Sequence, residues 1–179
     1  MQSPFDDDAA ERSGNVRLLG CNPEHGQPTS EYIYRLGDPA AADFLTGGVV
    51  PDDGKLCAMA AIGPKKLLIL EQSDDGDAKM YRCELDKATN VLGDDKDLDG
   101  VRNLSRVGVT PVKKTLVADL ANLLPFFASD ITAGQWQPEP HAKVAGLKLE
   151  GLAVLDLSLI HISEPTRRTP ISYAVFCLK

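Results

Sequence analysis

Lys55-Leu56-Cys57-Ala58-Met59-Ala60-Ala61-Ile62, then Lys66-Leu67-Leu68-Ile69-Leu70, then Lys79-Met80-Tyr81-Arg82-Cys83-Glu84-Leu85 are the runs whose reading decides the fold. The first is small and apolar, the second is continuously aliphatic, and the third alternates apolar with polar residues. Gly63-Pro64 and Ser73-Asp74-Asp75-Gly76-Asp77 separate them. Such residues turn a chain because glycine reaches positive φ, proline presets φ, and aspartate bonds to nearby backbone. Short runs bounded by breakers read as strands rather than helices. Three of them in quick succession predict an antiparallel meander, and the fold class is all-β.

Outward from this centre the same signals recur. Asn15–Gly20 and Glu31–Leu36 have strand character, with Tyr32 and Tyr34 alternating against Ile33 and Arg35 across two faces. Cys21-Asn22-Pro23-Glu24-His25-Gly26-Gln27-Pro28 supplies turn chemistry between them. Loops follow around Gly37-Asp38-Pro39 and Pro51-Asp52-Asp53-Gly54. Asp86–Thr110 reads as a polar, acidic excursion, and Lys114–Asp119 as a further strand. Leu120–Phe127 reads as a short helix or turn near Pro125, Gln135–Lys143 as a Pro-rich loop, and Lys148–Leu155 as a closing strand. No internal repeat assigns units by period.

Composition narrows the partners. The chain has 179 residues and 26 acidic against 19 basic side chains, a net charge of −7. That balance argues against nucleic acid, whose phosphates need a basic face. No apolar run approaches the roughly 20 residues that span a bilayer, so no membrane is expected. The start, Met1 to Asp8, has neither the basic opening nor the apolar stretch of a secretion signal.

The residues offer few catalytic patterns. Asp95-Lys96-Asp97-Leu98-Asp99-Gly100 has the alternating oxygens and glycine of a calcium loop. Arg106 stands where the twelfth-position glutamate of an EF-hand would be, so only a partial site through Asp95, Asp97 and Asp99 is left. A solvated acidic loop is the plainer reading. Glu71 ends the most apolar strand beside Asp74, Asp75 and Asp77, as a blade-end site carboxylate or as part of a surface turn. His25 and His141 lie in Pro-rich loops without a visible acid–base partner, and Trp136 reads as a packing residue. A nucleophile elbow, a P-loop and a dinucleotide-binding glycine pattern are all missing from the sequence.

A series of short motifs, in order, carries a resemblance. They are Met1-Gln2-Ser3-Pro4-Phe5, Asn15-Val16-Arg17-Leu18-Leu19, Glu31-Tyr32-Ile33-Tyr34-Arg35-Leu36 and Lys66–Glu71. Met80-Tyr81-Arg82 leading to Ala88-Thr89-Asn90, Val112–Val117 with Asp119-Leu120, and Leu149-Glu150-Gly151-Leu152-Ala153 continue it. The series resembles the phytase-like domain family, named for an esterase-like activity of phytase. The resemblance implies a β-propeller-like fold, of which residues 1–156 would be a part shortened at both ends and inactive by itself. It implies metal-assisted phosphoester hydrolysis in the intact parent, with calcium as cofactor, a phosphorylated small molecule as substrate and a secreted or periplasmic location. Glu150 is the best metal ligand by that resemblance, although a strand-end carboxylate paired with Lys148 is an equal reading. The alternative is a non-catalytic propeller that binds or interacts through the same rim loops.

The last segment reads differently. Leu157-Ser158-Leu159-Ile160-His161-Ile162-Ser163-Glu164-Pro165-Thr166-Arg167 resembles a translated transposase-type sequencing adapter, and Ile171–Leu178 resembles its downstream end. The expectation is that residues 157–179 are not native, which removes His161, Ser163 and Glu164 from any hydrolase triad. Without Arg167, Arg168, Lys179 and Glu164, 16 basic and 25 acidic residues are left, a net charge of −9. Cys21, Cys57 and Cys83 then make an odd number with no C-x-x-C pair, so neither a complete disulfide framework nor a zinc site is indicated.

Overall fold

A computed structural model describes residues 13–45, 54–73, 77–94, 98–120 and 151–153. Among the described residues six strands form, and every pair of hydrogen-bonded neighbours is antiparallel. β1 (Asn15–Cys21) and β2 (Pro28–Arg35) make a two-stranded hairpin. β3 (Lys55–Gly63), β4 (Lys66–Gln72), β5 (Ala78–Glu84) and β6 (Lys113–Asp119) form a four-stranded sheet in sequence order. The antiparallel meander expected from the sequence is therefore present, with strand ends within three residues of those read from the turn signals.

Local chemistry explains the turns. At the tip of β1–β2 the Asn22 side chain accepts the Glu24 N–H at 2.8 Å, and Gly26 takes a φ of 66°. An asparagine that bonds the backbone two residues on, with a glycine at positive φ, is how such a loop closes. Between β3 and β4 the two-residue turn Pro64-Lys65 puts Lys65 at a φ of 53°. Register shifts at Cys57 in β3 and opposite Met80/Tyr81 in β6 bend the sheet locally.

The hairpin lies between two layers. Val16, Leu18, Tyr34 and Leu36 pack with Leu56, Ile69, Tyr81, Cys83 and Val112 to form the main core against the four-stranded sheet. Burying each large side chain of this kind contributes about 1.5–3 kcal/mol. On the other face, Ile33 packs with Val91, Leu98, Leu104 and Val109. Those last four belong to the segment between β5 and β6, which the sequence presented as a polar excursion. Its charges are real, but it folds back over the hairpin and has its own apolar core.

The same segment also closes the outer edge of β2. The Glu31 carbonyl accepts the Val91 N–H and the Ile33 carbonyl accepts the Val112 N–H, both at 2.8 Å. Asn90 Oδ1 accepts the N–H groups of Glu31 and Leu92. An edge that would otherwise invite pairing with another chain is thus satisfied within the chain. A 3-10 turn, Leu104–Val107, ends at Gly108 with a φ of 75°. Leu120–Phe127, apart from Leu120, and the loop at 135–143 lie outside the described residues, as does most of Lys148–Leu155, of which Gly151–Ala153 are not in a strand. Among the described residues no helix is long and apolar enough to cross a membrane.

Candidate functional site

The densest chemistry sits under the hairpin, on the inner face of the four-stranded sheet. Leu67, Ile69 and Glu71 follow one another on one face of β4, so the strand that supplies the aliphatic core also carries a carboxylate into it. Glu71 is buried, with 7% of its surface exposed. It is therefore not part of a surface turn. Its Oε1 accepts hydrogen bonds from the Lys114 ammonium and the Tyr34 hydroxyl, and its Oε2 accepts the Gly37 N–H at 3.3 Å. Lys114 comes from the start of β6 and its side chain is fully shielded from solvent. Three rings surround its ammonium, Tyr81 at 4.3 Å, Tyr34 at 4.7 Å and Phe44 at 5.3 Å to the ring centres. Aromatic faces present negative charge, so this cage partly replaces the water that the cation lost.

Burial governs the proton affinities here. It lowers Lys114 from the usual lysine range, and the Glu71 carboxylate opposes that shift without cancelling it. Burial, followed by the charge of Glu71, holds the Tyr34 phenol well above its ordinary value, and Tyr81 is raised for the same reasons. The Cys83 thiol is pushed up to about 12, mainly by burial, with Lys114 pulling the other way and Glu71 adding to the rise. A thiol held in that state is neither a nucleophile nor a metal ligand near neutral pH. The arrangement is a closed acid–amine–phenol centre. Perturbed groups of this kind mark functional sites and structural ion pairs alike. Tyr34, at 0% exposure, and the shielded Lys114 are both out of contact with solvent.

A second ionic centre lies on the opposite face of the hairpin. Arg17 donates from Nε to Asp99 Oδ1 and from Nη1 to Glu31 Oε1, each at 2.7 Å. The three side chains are 24%, 20% and 15% exposed. The two carboxylates raise the pKa of Arg17, Asp99 more than Glu31, so the guanidinium is charged throughout the working pH range. Around it, Asn15 Nδ2 donates to the Leu98 and Val101 carbonyls, both at 2.9 Å, and the Ser13 hydroxyl donates to the Asp99 carbonyl. These contacts dock the end of the acidic Asp95–Gly100 loop onto β1.

The expected metal ligands are thus placed unevenly. Asp99 is in this ion pair, while Asp95, Asp97 and Glu150 lie outside the described residues. Among the described residues no group of three or more His, Cys, Asp or Glu side chains could hold a metal ion. A calcium ion needs six or more oxygens and is repelled by a neighbouring guanidinium. Of the expected ligands the described residues place Asp99 alone, and the Arg17 guanidinium beside it opposes a cation there. His25 is exposed beside Glu24, at 3.8 Å, and His141 and Trp136 lie outside the described residues. Cys21, Cys57 and Cys83 are thiols outside any disulfide among the described residues.

Lys114 and Tyr34 were not singled out by sequence, because their significance depends on Glu71, 43 and 37 residues away. The one local signal is Glu71 itself, in phase with Leu67 and Ile69.

An all-β chain with an antiparallel meander and buried polar centres defines only a broad class. The particular family comes from comparison. The family model described as "Phytase-like: Esterase-like activity of phytase" matches residues 1–163. The chain belongs to the phytase-like family. The match ends inside the 157–179 segment. No curated protein and no solved structure matches the chain.

Proposed function

We propose that this chain is part of a phytase-like domain that hydrolyses phosphoesters, built as a β-propeller. Family membership over residues 1–163 is the observation that carries the reading. The four-stranded meander β3-β4-β5-β6 supports the architecture, because a propeller blade is a sheet of that kind. Glu150, Asp95 and Asp97, with Asp99 beside them, remain the proposed carriers of metal assistance. The Arg17 charge next to Asp99 makes tight calcium binding at that loop conditional on a strong contribution from the others.

A second reading has an observation of its own. Glu71, Glu31 and Asp99 each answer a cation inside the fold, so these carboxylates serve structure before chemistry. That favours a propeller that binds through its rim loops without catalysis.

Phosphate release by an intact domain containing this sequence separates the two. The hydrolase reading expects release from a phosphomonoester, loss of release in chelator, and loss on Glu150→Ala. No release from the unmutated domain sinks the hydrolase and leaves the binding propeller. Release unaffected by chelator keeps the hydrolase and removes the metal. The 179-residue chain itself is expected to be inactive in the same assay.

A further inference from the structure

The residues that join the hairpin to the 98–103 segment include three buried side-chain atoms without a hydrogen-bond partner among the described residues. Asn15 and Arg35 are direct partners across β1 and β2, and Asn15 is 1% and Arg35 2% exposed. Arg35 Nη1 donates to the Arg102 carbonyl at 2.5 Å, while Arg35 Nη2 is buried without an acceptor. Asn15 Nδ2 is committed to the Leu98 and Val101 carbonyls. That fixes the amide's orientation, since a flip would set Oδ1 against two carbonyl oxygens. Asn15 Oδ1 is therefore a buried acceptor without a donor, and so is Oδ1 of Asn103, the residue after Arg102.

Orphaned buried polar atoms each cost about 1–3 kcal/mol, and because Asn15 and Arg35 are both hydrogen-bonded to the 98–103 segment that carries Asn103, one common partner is the simplest answer. Their chemistry selects it. The set is one cationic donor and two neutral acceptors. An anion would meet two amide oxygens, and a metal cation would meet a guanidinium. A neutral molecule that accepts one hydrogen bond and donates two satisfies all three, and water has that pattern and the size for an enclosed site.

We propose that Arg35, Asn15 and Asn103 form a buried binding site for one water molecule, which cements the 98–103 segment to the β1–β2 hairpin. The water accepts from Arg35 Nη2 and donates to the two asparagine oxygens. Burial and the nearby Arg102 lower the Arg35 pKa while Asp43 opposes them, so a lone pair placed on Nη2 relieves a group that is poorly solvated. The site does not depend on the phosphoester reading.

The test is a crystal structure of the 179-residue chain at about 1.5 Å, where buried waters are seen directly, together with water-to-protein NOEs in solution. The expected result is a single solvent peak within hydrogen-bond distance of all three atoms and an NOE to the Asn15 side-chain amide. Asn103→Ala should weaken that peak and speed exchange of the Val101 amide about tenfold, the worth of one hydrogen bond. Three results overturn the proposal. They are a direct contact of Arg35 Nη2 with either asparagine oxygen, a collapsed site without solvent, and a tetrahedral anion in the site.

Discussion

The two ionic centres of this chain use the same components in different surroundings. On the sheet side of the hairpin, Lys114 answers Glu71 out of contact with water, caged by Tyr34, Tyr81 and Phe44. On the opposite side, Arg17 answers Glu31 and Asp99 with about a fifth of each side chain in solvent. The difference follows from what the hairpin faces. Val16, Leu18 and Tyr34 meet a sheet that excludes water, whereas Asn15, Arg17 and Glu31 meet the polar side of a loop that hydrogen bonds and its own apolar core hold in place. In the first place a charge depends on the protein groups packed around it. In the second, water stands ready to replace them.

The largest consequence concerns the removal of one partner. Lys114→Met should destabilise the chain by about 3–5 kcal/mol, because it strands the Glu71 carboxylate in a site that water does not reach. Replacing both, as Lys114→Met with Glu71→Leu, should cost markedly less than the single change, since a buried pair can be exchanged for packing at little net cost. Urea unfolding of the three chains measures the difference. A double variant as unstable as the single would mean that the pair adds net stability of its own, and the contrast with Arg17 would lose its basis.

Proton linkage gives the next largest effect. Cys83 is raised from 9.0 to about 12 on folding, so between those values the unfolded chain loses the proton and the folded chain keeps it. The folded state then binds more protons, and stability falls as pH rises, by about 1.4 kcal/mol per pH unit. Lys114 works in the opposite sense, because its lowered pKa makes stability rise with pH below the ordinary lysine value. The clean measurement is therefore a difference. The stability of the wild-type chain relative to Cys83→Val should be constant below pH 9 and should decline above it. A flat difference up to pH 11 would show that water reaches the thiol and that the sheet-side centre is less dry than its geometry indicates.

Arg17→Met should cost only about 1 kcal/mol at low salt, the scale of partly exposed pairs. Raising salt from 0.05 M to 1 M shortens the screening length to about 3 Å, so this loss should shrink while that of Lys114→Met should not. The change should also be local, speeding amide exchange over residues 98–101 before anywhere else. Equal salt dependence at both centres would erase the distinction between them.

How much of this was legible depends on the range of the contacts. Each strand announced itself through alternation or an aliphatic run closed by Gly, Pro, Asn or Asp, because those rules act over a few residues. The 86–110 segment did not. Its buried residues Val91, Leu98, Leu104 and Val109 follow no helical or strand period, and they pack on Ile33 only because the loop returns to it. Ion pairs are harder still. Asp99 reads as a ligand beside Asp95 and Asp97 until β1 brings Arg17 to it from 82 residues away, and no spacing rule spans such a gap. Glu71 could be suspected, since it continues the buried face of β4, but nothing nearby in sequence points to Lys114.

The smallest expected effect touches neither centre and tests whether local strain counts beside them. Lys65 is exposed and is the one residue other than glycine with positive φ among those described. A left-handed conformation costs an ordinary residue about 1–2 kcal/mol, whereas glycine adopts it freely. Glycine gives back about 0.5–1 kcal/mol through the greater freedom of the unfolded chain. Lys65→Gly should therefore raise stability by about 0.5 kcal/mol, provided its carbonyl still accepts the Leu85 N–H, now at 2.9 Å. The gain should be independent of salt and of pH between 6 and 11, unlike every change above, because no charge near either centre is altered. A loss of stability would mean that the turn holds the β4–β5 register through the Lys65 side chain rather than through its backbone.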